Sequence, residues 1–268
     1  MDCRNHPSKS RADRTQSSSP TGRRTIRLVE LSHTLQTGLV ISDLHLFSHR
    51  SVGEDLILGL QERLNDTKIL VLNGDTFDFR WSKLSNEEQT LEAAQAWLDQ
   101  LIIKFPHLEL HYVLGNHDCL QSFREILDQF TSKHPRFHLH EYTCRLGSNL
   151  FLHGDCTNWG MTAEKLIRYR QAWSKDSPKG PLSKSLYRLV DLSGLGYAFH
   201  HLYFRRTSTI ARIERYLGPE VDGITHCFFG HTHVPFENHL QNSITFANTG
   251  SGIKGMGFLP QPFEYSAS

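Results

Sequence analysis

The chain lacks the features that mark several large protein classes. No apolar run approaches the eighteen or so residues needed to span a bilayer, so no transmembrane segment is expected, and the first residues lack the apolar core of a signal peptide. Neither sign of charge is in excess. The 29 Lys and Arg against 28 Asp and Glu leave a net charge of +1, which argues against a general nucleic-acid binder and predicts no stable nucleic-acid partner. There is no Cys-x-x-Cys pair. The five scattered cysteines (Cys3, Cys119, Cys144, Cys156 and Cys227) suit reduced thiols in the cytosol better than a disulfide framework. Residues 1–24 are nearly devoid of apolar side chains and carry six basic residues against two acidic. Such a segment cannot offset the entropy of ordering, and a disordered tail is expected there, one that touches anionic surfaces only weakly; peripheral membrane contact stays open. The expectation is a soluble, cytoplasmic protein of unknown oligomeric state. Its 268 residues, 38% of them hydrophobic, bury one large core over residues 25–268, as a single α/β domain or with an inserted subdomain.

What the chain has in quantity is histidine, 17 in all, and its placement matters more than its number. The run Ile69 to Leu72 reads as an interior strand that stops at Asn73-Gly74-Asp75-Thr76-Phe77-Asp78, delivering two carboxylates just beyond its end, where α/β sheets collect their chemistry. Upstream, Gly38 to Ser42 reads as a strand ending in Asp43-Leu44-His45, a carboxylate and an imidazole at a metal-ligand spacing. Leu56, Leu60 and Leu64 predict a helix over residues 55–64. Ser85-Asn86-Glu87-Glu88 has the capping-box form, and the helix it starts carries Leu91, Ala94, Trp97 or Leu98, and Leu101 on one face until Pro106. A third strand, Leu108 to Leu114, ends in Gly115-Asn116-His117-Asp118, and Phe123, Ile126, Leu127 and Phe130 mark another helix.

Residues 137–146 alternate as one strand, with His138 and His140 expected at the surface. Asn149 to Leu152 ends in His153-Gly154-Asp155, and His226 to Phe229 ends in Gly230-His231-Thr232-His233. A turn explains one such end. Five of them, each drawn from Asp, Asn and His and most hinged by Gly, predict a shared site.

These five blocks resemble the signature of the calcineurin-like metallophosphoesterase superfamily, and they span roughly residues 38 to 235. The resemblance implies a four-layer α/β/β/α sandwich with a centre of two divalent metals. It assigns Asp43, His45, Asp75 and His233 to the first ion and Asp75, Asn116, His153 and His231 to the second, with Asp75 bridging. Imidazole, amide and carboxylate donors suit Mn, Fe or Zn, with Mn placed first, and a bridging carboxylate is a natural way to hold two cations about 3.5 to 4 Å apart. Such a pair lowers the pKa of a shared water, giving hydroxide near neutral pH, and binds phosphate oxygens for in-line attack. His117 is then the candidate proton donor to the leaving oxygen, with Asp118 orienting its ring, while Asp78 bonds a ligand or a loop amide from behind.

More than seventy residues separate His153 from His231, too many for a plain loop. Helices are expected over residues 162–173, 183–192 and 197–217, the last closed by Gly218-Pro219. From Glu164 to Arg215 there are eleven Lys or Arg against four Asp or Glu, interleaved with aromatics such as Tyr169, Trp173 and Tyr203. This predicts either a solvated helix pair or a helical cap, about residues 160–220, that takes an anionic ligand with an apolar part, with Arg168 and Arg170 as candidate phosphate contacts. A cap after a His-Gly-Asp block is similar to that of the UDP-2,3-diacylglucosamine pyrophosphohydrolases, although that branch typically has Gly-Asn-Arg-Asp where this chain has Gly115-Asn116-His117-Asp118. The expected activity is a dinuclear metal-dependent phosphohydrolase acting on a small phosphorylated substrate. A nucleotide- or lipid-linked pyrophosphate comes first and a phosphodiester or phosphomonoester second; the rival reading is a non-catalytic interaction module of the same fold.

Overall fold

The computed structural model describes residues 35–175, 179–180, 183 and 200–266. The tail expected over residues 1–24 lies outside the described residues. So do the expected helix over 183–192, but for Ser183, and the first residues of the helix expected from 197.

Short apolar runs become strands covered on both faces. Strand β2 (Ile69–Asn73) is buried at every position, between β1 (Leu35–Ile41) and β3 (Glu109–Val113), with β4 (Phe137–His140) beyond β3, all parallel. Parallel neighbours need crossovers. These are the helices α1 (Gly53–Gly59), α2 (Gln61–Asp66), α3 (Glu87–Lys104) and α4 (Gln121–Lys133). Alternate side chains of each strand enter different cores, as the period of two requires. Leu39, Ile41, Leu70, Leu72, Leu110 and Tyr112 pack with Ala94, Leu98, Phe123 and Leu127 of the helices. Val40, Ile69, Val71 and Val113 instead meet Cys144, Phe151, Phe228 and Ala247 of a second sheet.

That sheet runs β5 (Thr143–Leu146), β6 (Asn149–Leu152), β7 (His226–Phe229), β9 (Ile244–Asn248), β8 (Phe236–Gln241), while β10 (Gln261–Ser266) closes the first sheet antiparallel to β1. Its outer face, Leu150, Leu152, Cys227, Phe229 and Phe246, is covered by Leu166 of α5 (Ala163–Trp173) and by Ile210, Ile213 and Leu217 of α6 (Arg206–Leu217). The order helix, sheet, sheet, helix is the expected four-layer sandwich. The helices at the two ends of the expected cap therefore supply the fourth layer, and only the stretch of about 174–205 is left between them.

Four local expectations change, the first being that the described part of the helix expected over 197–217 is interrupted at Phe204-Arg205, before α6 begins. The strand expected over 137–146 is two strands in different sheets, because the chain crosses the sandwich at Glu141-Tyr142 and its alternation continues on the other side. The helix expected over 55–64 breaks after Gly59 into two short ones. Asn86, not Ser85, caps α3, its side chain accepting from Gln89 N at 2.9 Å. Among the described residues no helix is long and apolar enough to cross a membrane.

Candidate active site

The five polar strand ends meet at one end of the sandwich because β1, β2 and β3 run parallel in one sheet and β6 and β7 run parallel in the other. The β1–β2 pairing continues past the strands: Asp43 N donates to Gly74 O, His45 N to Asp75 O and Leu46 N to Thr76 O, each at 2.9 Å. Asp43, His45, Asp75, His231 and His233 all have positive φ, between 47° and 63°. Non-glycine residues avoid this region at a cost of order 1–3 kcal/mol each, so a cluster of them marks a site that its surroundings hold in place. Glycine is required at two neighbouring positions. A β-carbon on Gly115 would overlap Asp75 Oδ1, and one on Gly230 would overlap Asp43 Oδ2.

Seven expected ligand residues converge. His233 Nε2 lies 3.2 Å from Asp43 Oδ1 and 3.3 Å from His45 Nε2. His153 Nε2 lies 3.3 Å from Asp75 Oδ2, from Asn116 Oδ1 and from His231 Nδ1. Asp75 belongs to both groups: its Oδ2 is also 3.8 Å from His45 Nε2, while its Oδ1 accepts from His117 N at 2.8 Å. Asp43 is held from behind by Ser42 Oγ and His231 N, and Ser42 Oγ in turn meets Thr249 Oγ1.

Asp43, Asp75 and His153 are almost wholly buried. Burial works against charge in the two aspartates, but the imidazoles around them outweigh it and hold both carboxyls below their usual range. Burial also works against a charged His153, yet Asp75 and Asp43 push it up to about 10, whereas burial and the neighbouring His153 bring His231 down to about 4.

His117 lies beside this cluster with its side chain partly open to solvent. Asp78, not Asp118, orients it: His117 Nδ1 is 3.1 Å from Asp78 Oδ1, and Asp78 Oδ2 is 3.5 Å from His45 Nδ1. Burial opposes the charge on His117, but Asp78 and Asp75 outweigh it and raise the pKa to about 9. Asp118, next along the turn, points away into the fold. It accepts from Gly115 N (2.6 Å), Tyr112 Oη (2.7 Å) and Thr76 N (2.8 Å), and so braces the loop.

The two cap arginines part ways, as residues two apart on a helix do. Arg168 is exposed on α5. Arg170 is buried in a bidentate pair with Asp155 (Nε to Oδ2 2.8 Å, Nη2 to Oδ1 2.9 Å) and also donates to Glu141 O. Its fork is spent inside the fold, which removes it as a substrate contact. Other residues near the cluster had no motif to announce them. Arg50, Ser48, His200 and Ile253 line a cleft of about 130 Å³ with the cluster. His200 stacks on His233 (ring centroids 4.6 Å apart, planes at 13°), and Trp173 packs at 4.7 Å on His117 under the Arg80 guanidinium. Only the aromatic, basic composition of the segment after His153 hinted at Trp173.

Solved structures similar to this chain include a phosphoesterase from E. coli (15% identity, 82% of each chain covered, TM-score 0.37) and a dimetal phosphatase from Danio rerio (9% identity, 87% of this chain and 99% of that one, TM-score 0.40). No curated protein sequence matches this chain. The sequence profile of the calcineurin-like phosphoesterases matches residues 38–235, which contain every one of the five strand ends. The chain therefore belongs to the calcineurin-like phosphoesterase family, as a metallophosphoesterase that hydrolyses phosphoric esters.

Proposed function

We propose that the protein is a dinuclear metal-dependent phosphohydrolase. Asp43, His45, Asp75 and His233 would hold one divalent ion, and Asp75, Asn116, His153 and His231 the other. The observation that carries this reading is that Asp75 Oδ2 faces both histidine groups, at 3.8 Å from His45 Nε2 and 3.3 Å from His153 Nε2. The residues fit the group. Ligand bonds of about 2.0–2.2 Å place donors roughly 3 to 3.5 Å apart around one ion, and most of the separations in each cluster lie close to that. The donors are nitrogen and oxygen only, which suits Mn, Fe or Zn.

When bound, two such ions make a water more acidic and clamp phosphoryl oxygens in line. The chain's own part is positioning and proton transfer. Asp78 holds Nδ1 of His117, which leaves Nε2 as the nitrogen able to pass a proton to a leaving oxygen at the mouth of the cleft. Asp118 keeps the loop carrying Asn116 and His117 in place through Gly115 N and Thr76 N. A complete set of expected ligands together with His117 supports catalysis over a purely binding role.

For the substrate we infer a small phosphorylated molecule, a nucleotide- or lipid-linked pyrophosphate before a simple monoester or cyclic diester. The support is a basic and aromatic wall, Arg50 at the cleft and Arg80 stacked on Trp173 at 4.4 Å, which suits phosphate joined to a planar or apolar group. The four described cysteines are free and buried, in keeping with a cytoplasmic setting.

Turnover with Mn on p-nitrophenyl mono- and diesters, dinucleoside polyphosphates, cyclic nucleotides and UDP-diacylglucosamine ranks the substrates. Asp75→Ala should drop every activity to background while the protein still melts cooperatively, because the core is apolar elsewhere. A folded Asp75→Ala protein that hydrolyses phosphodiesters like the parent would overturn the two-metal reading.

A further inference from the structure

Away from the strand-end loops, three strands bring a second set of ligating side chains together. In the parallel β3–β4 register, His111 lies opposite His138 and Val113 opposite His140. Val113 belongs to the core between the sheets, so Glu109 and His111, at two-residue steps from it, share that face, and His138 and His140 join them from β4. Cys144 approaches from the other sheet. β4 and β5 are the edge strands of their respective sheets, so the group sits where the two layers meet at the rim of the sandwich.

His111 Nδ1 is 3.0 Å from His140 Nε2 and 3.6 Å from Cys144 Sγ, and all three donor atoms lie within 4.8 Å of one another. The rings of His111 and His140 are stacked, 5.2 Å apart and 17° from parallel. His111 is 5% exposed and Cys144 1%. On the far side of the His111 ring, Nε2 is buried without a well-formed hydrogen bond, and Glu109 Oε1 stands 3.3 Å from it and 3.2 Å from His138 Nε2. Buried polar groups are normally satisfied. Here His140 Nε2 and Cys144 Sγ both crowd His111 Nδ1 while the opposite nitrogen has no aligned partner. None of these residues lines the catalytic cleft.

We propose that His111 Nδ1, His140 Nε2 and Cys144 Sγ form a further metal site, separate from the strand-end centre, for a divalent ion that favours thiolate and imidazole, zinc first. The separations of His111 Nδ1 from His140 Nε2 (3.0 Å) and from Cys144 Sγ (3.6 Å) are close to those around a tetrahedral zinc with bonds of about 2.0–2.3 Å, and water would complete the four. Thiolate with imidazole selects Zn, and Co as its spectroscopic substitute, whereas Mg and Mn favour oxygen. Glu109 Oε1 stands where it would accept a hydrogen bond from Nε2–H of the ligating His111, the arrangement in which a carboxylate fixes the tautomer and the ring of a metal ligand. The step balances: the ion displaces one proton, from the Cys144 thiol to solvent, and His140 moves its own proton from Nε2 to Nδ1. Burial keeps the Cys144 thiol up at about 12, so the sulfur stays protonated until an ion arrives. Burial, together with His140 and His138, brings His111 down to about 3, which keeps the ring neutral. An ion here ties the edge strands of the two sheets to each other and stabilises the fold by mass action.

The test uses the full chain, stripped with a chelator and titrated with Co²⁺. The strand-end centre offers only nitrogen and oxygen donors, so the part of a thiolate-to-cobalt charge-transfer band in the near ultraviolet that Cys144→Ser removes, with the other four cysteines kept, reports this site. The expected result is a band that saturates at one Co²⁺ per band-forming site, with one proton released per ion bound there. Cys144→Ser should lower its intensity, and His140→Ala should weaken binding at least tenfold. Zinc should raise the melting temperature of the parent and not that of folded Cys144→Ser. The absence of any band in the parent overturns the site, as does a band whose intensity Cys144→Ser leaves unchanged. If Cys144→Ser does not fold, His140→Ala decides: an unchanged band with unchanged affinity overturns it equally.

Discussion

At the ends of β1, β2 and β7 the backbone leaves regular geometry, and Asp43, Asp75, His231 and His233 reach their positions through left-handed turns beside Gly74, Gly115 and Gly230. On β3 and β4, His111, His138 and His140 sit in an unbroken parallel ladder and meet only through strand register. Both places gather imidazole and acid, and in both a carboxylate stands behind a ring nitrogen: Asp78 behind His117 at 3.1 Å, Glu109 behind His111 at 3.3 Å. They differ in what the surroundings demand. The strand-end carboxylates are buried and outnumbered by rings, so their field raises His153 to about 10, whereas the rim cluster has one half-exposed carboxylate and burial brings His111 down to about 3. The first cluster attracts cations through charge, and the second offers neutral nitrogen and a sulfur. Strain is spent where chemistry needs ligands from five loops at one point; a cross-strand site needs none, because register does the positioning.

The largest effect that separates the two clusters is expected at His117. Its replacement by Ala should cost about 10² to 10⁴ in rate on a substrate with a poor leaving group, the range for a positioned acid. The loss should be smaller for p-nitrophenolate, which departs without a proton. Bound metal should be unchanged, since no donor of the strand-end centre is removed. Equal losses on both substrates, or metal content falling in step with rate, would move His117 from proton transfer into ion retention.

The same contrast explains what could be read from the residues. The strand-end cluster is local in sequence: each block is a glycine or a polar pair directly after an apolar run, so Asp43, His45, Asp75, Asn116, His153, His231 and His233 were all legible, along with the layers that carry them. Interactions set by register or packing were not. His138 and His140 look like surface residues on an edge strand until the β3–β4 register lays His138 beside His111 and the β5 crossing brings up Cys144. Asp118 adjoins His117 in the chain but faces the opposite side of the turn, where Tyr112, Thr76 and Gly115 hold it. Arg170 carries the same charge as Arg168, and the position of Asp155, in the turn after β6, decides that one is buried and the other exposed.

Arg170 gives the next effect in size, and it falls on stability rather than on rate. Removing one partner of a buried, hydrogen-bonded ion pair leaves the other charge uncompensated, at a cost of about 3–5 kcal/mol. Arg170→Ala should therefore lower the denaturation midpoint sharply, while the surviving folded fraction keeps its KM. Arg168→Ala, on the exposed face of the same helix, should change stability by no more than about 0.5 kcal/mol. Denaturant unfolding of the two variants, with KM for the preferred substrate, checks both. A stable Arg170→Ala with a raised KM would return Arg170 to the substrate.

The smallest effects come from the two carboxylates that stand behind imidazoles, and they compare the clusters directly. Asp78 is 3% exposed and touches both His117 Nδ1 and His45 Nδ1, so its neutral replacement Asp78→Asn leaves two rings less firmly held. Outer partners of this kind cost about 10- to 100-fold in activity or metal affinity when removed, and a loss in that range is expected in kcat/KM on a phosphodiester. The Glu109 side chain is 42% exposed, and its Oε1 lies 3.3 Å from His111 Nε2 and 3.2 Å from His138 Nε2. Exposed pairs contribute about 0.2–1 kcal/mol, and His111, neutral at ordinary pH, places this one at the low end. In the chelated protein Glu109→Gln should shift the melting temperature by no more than about 2–4 °C, the change that 1 kcal/mol produces in a chain of this size, and should leave turnover within about twofold. If Glu109→Gln instead lowered kcat/KM as far as Asp78→Asn does, the rim cluster would be coupled to the strand-end centre through β3, which runs directly into the Gly115 loop, and the division between a catalytic and a structural cluster would fail.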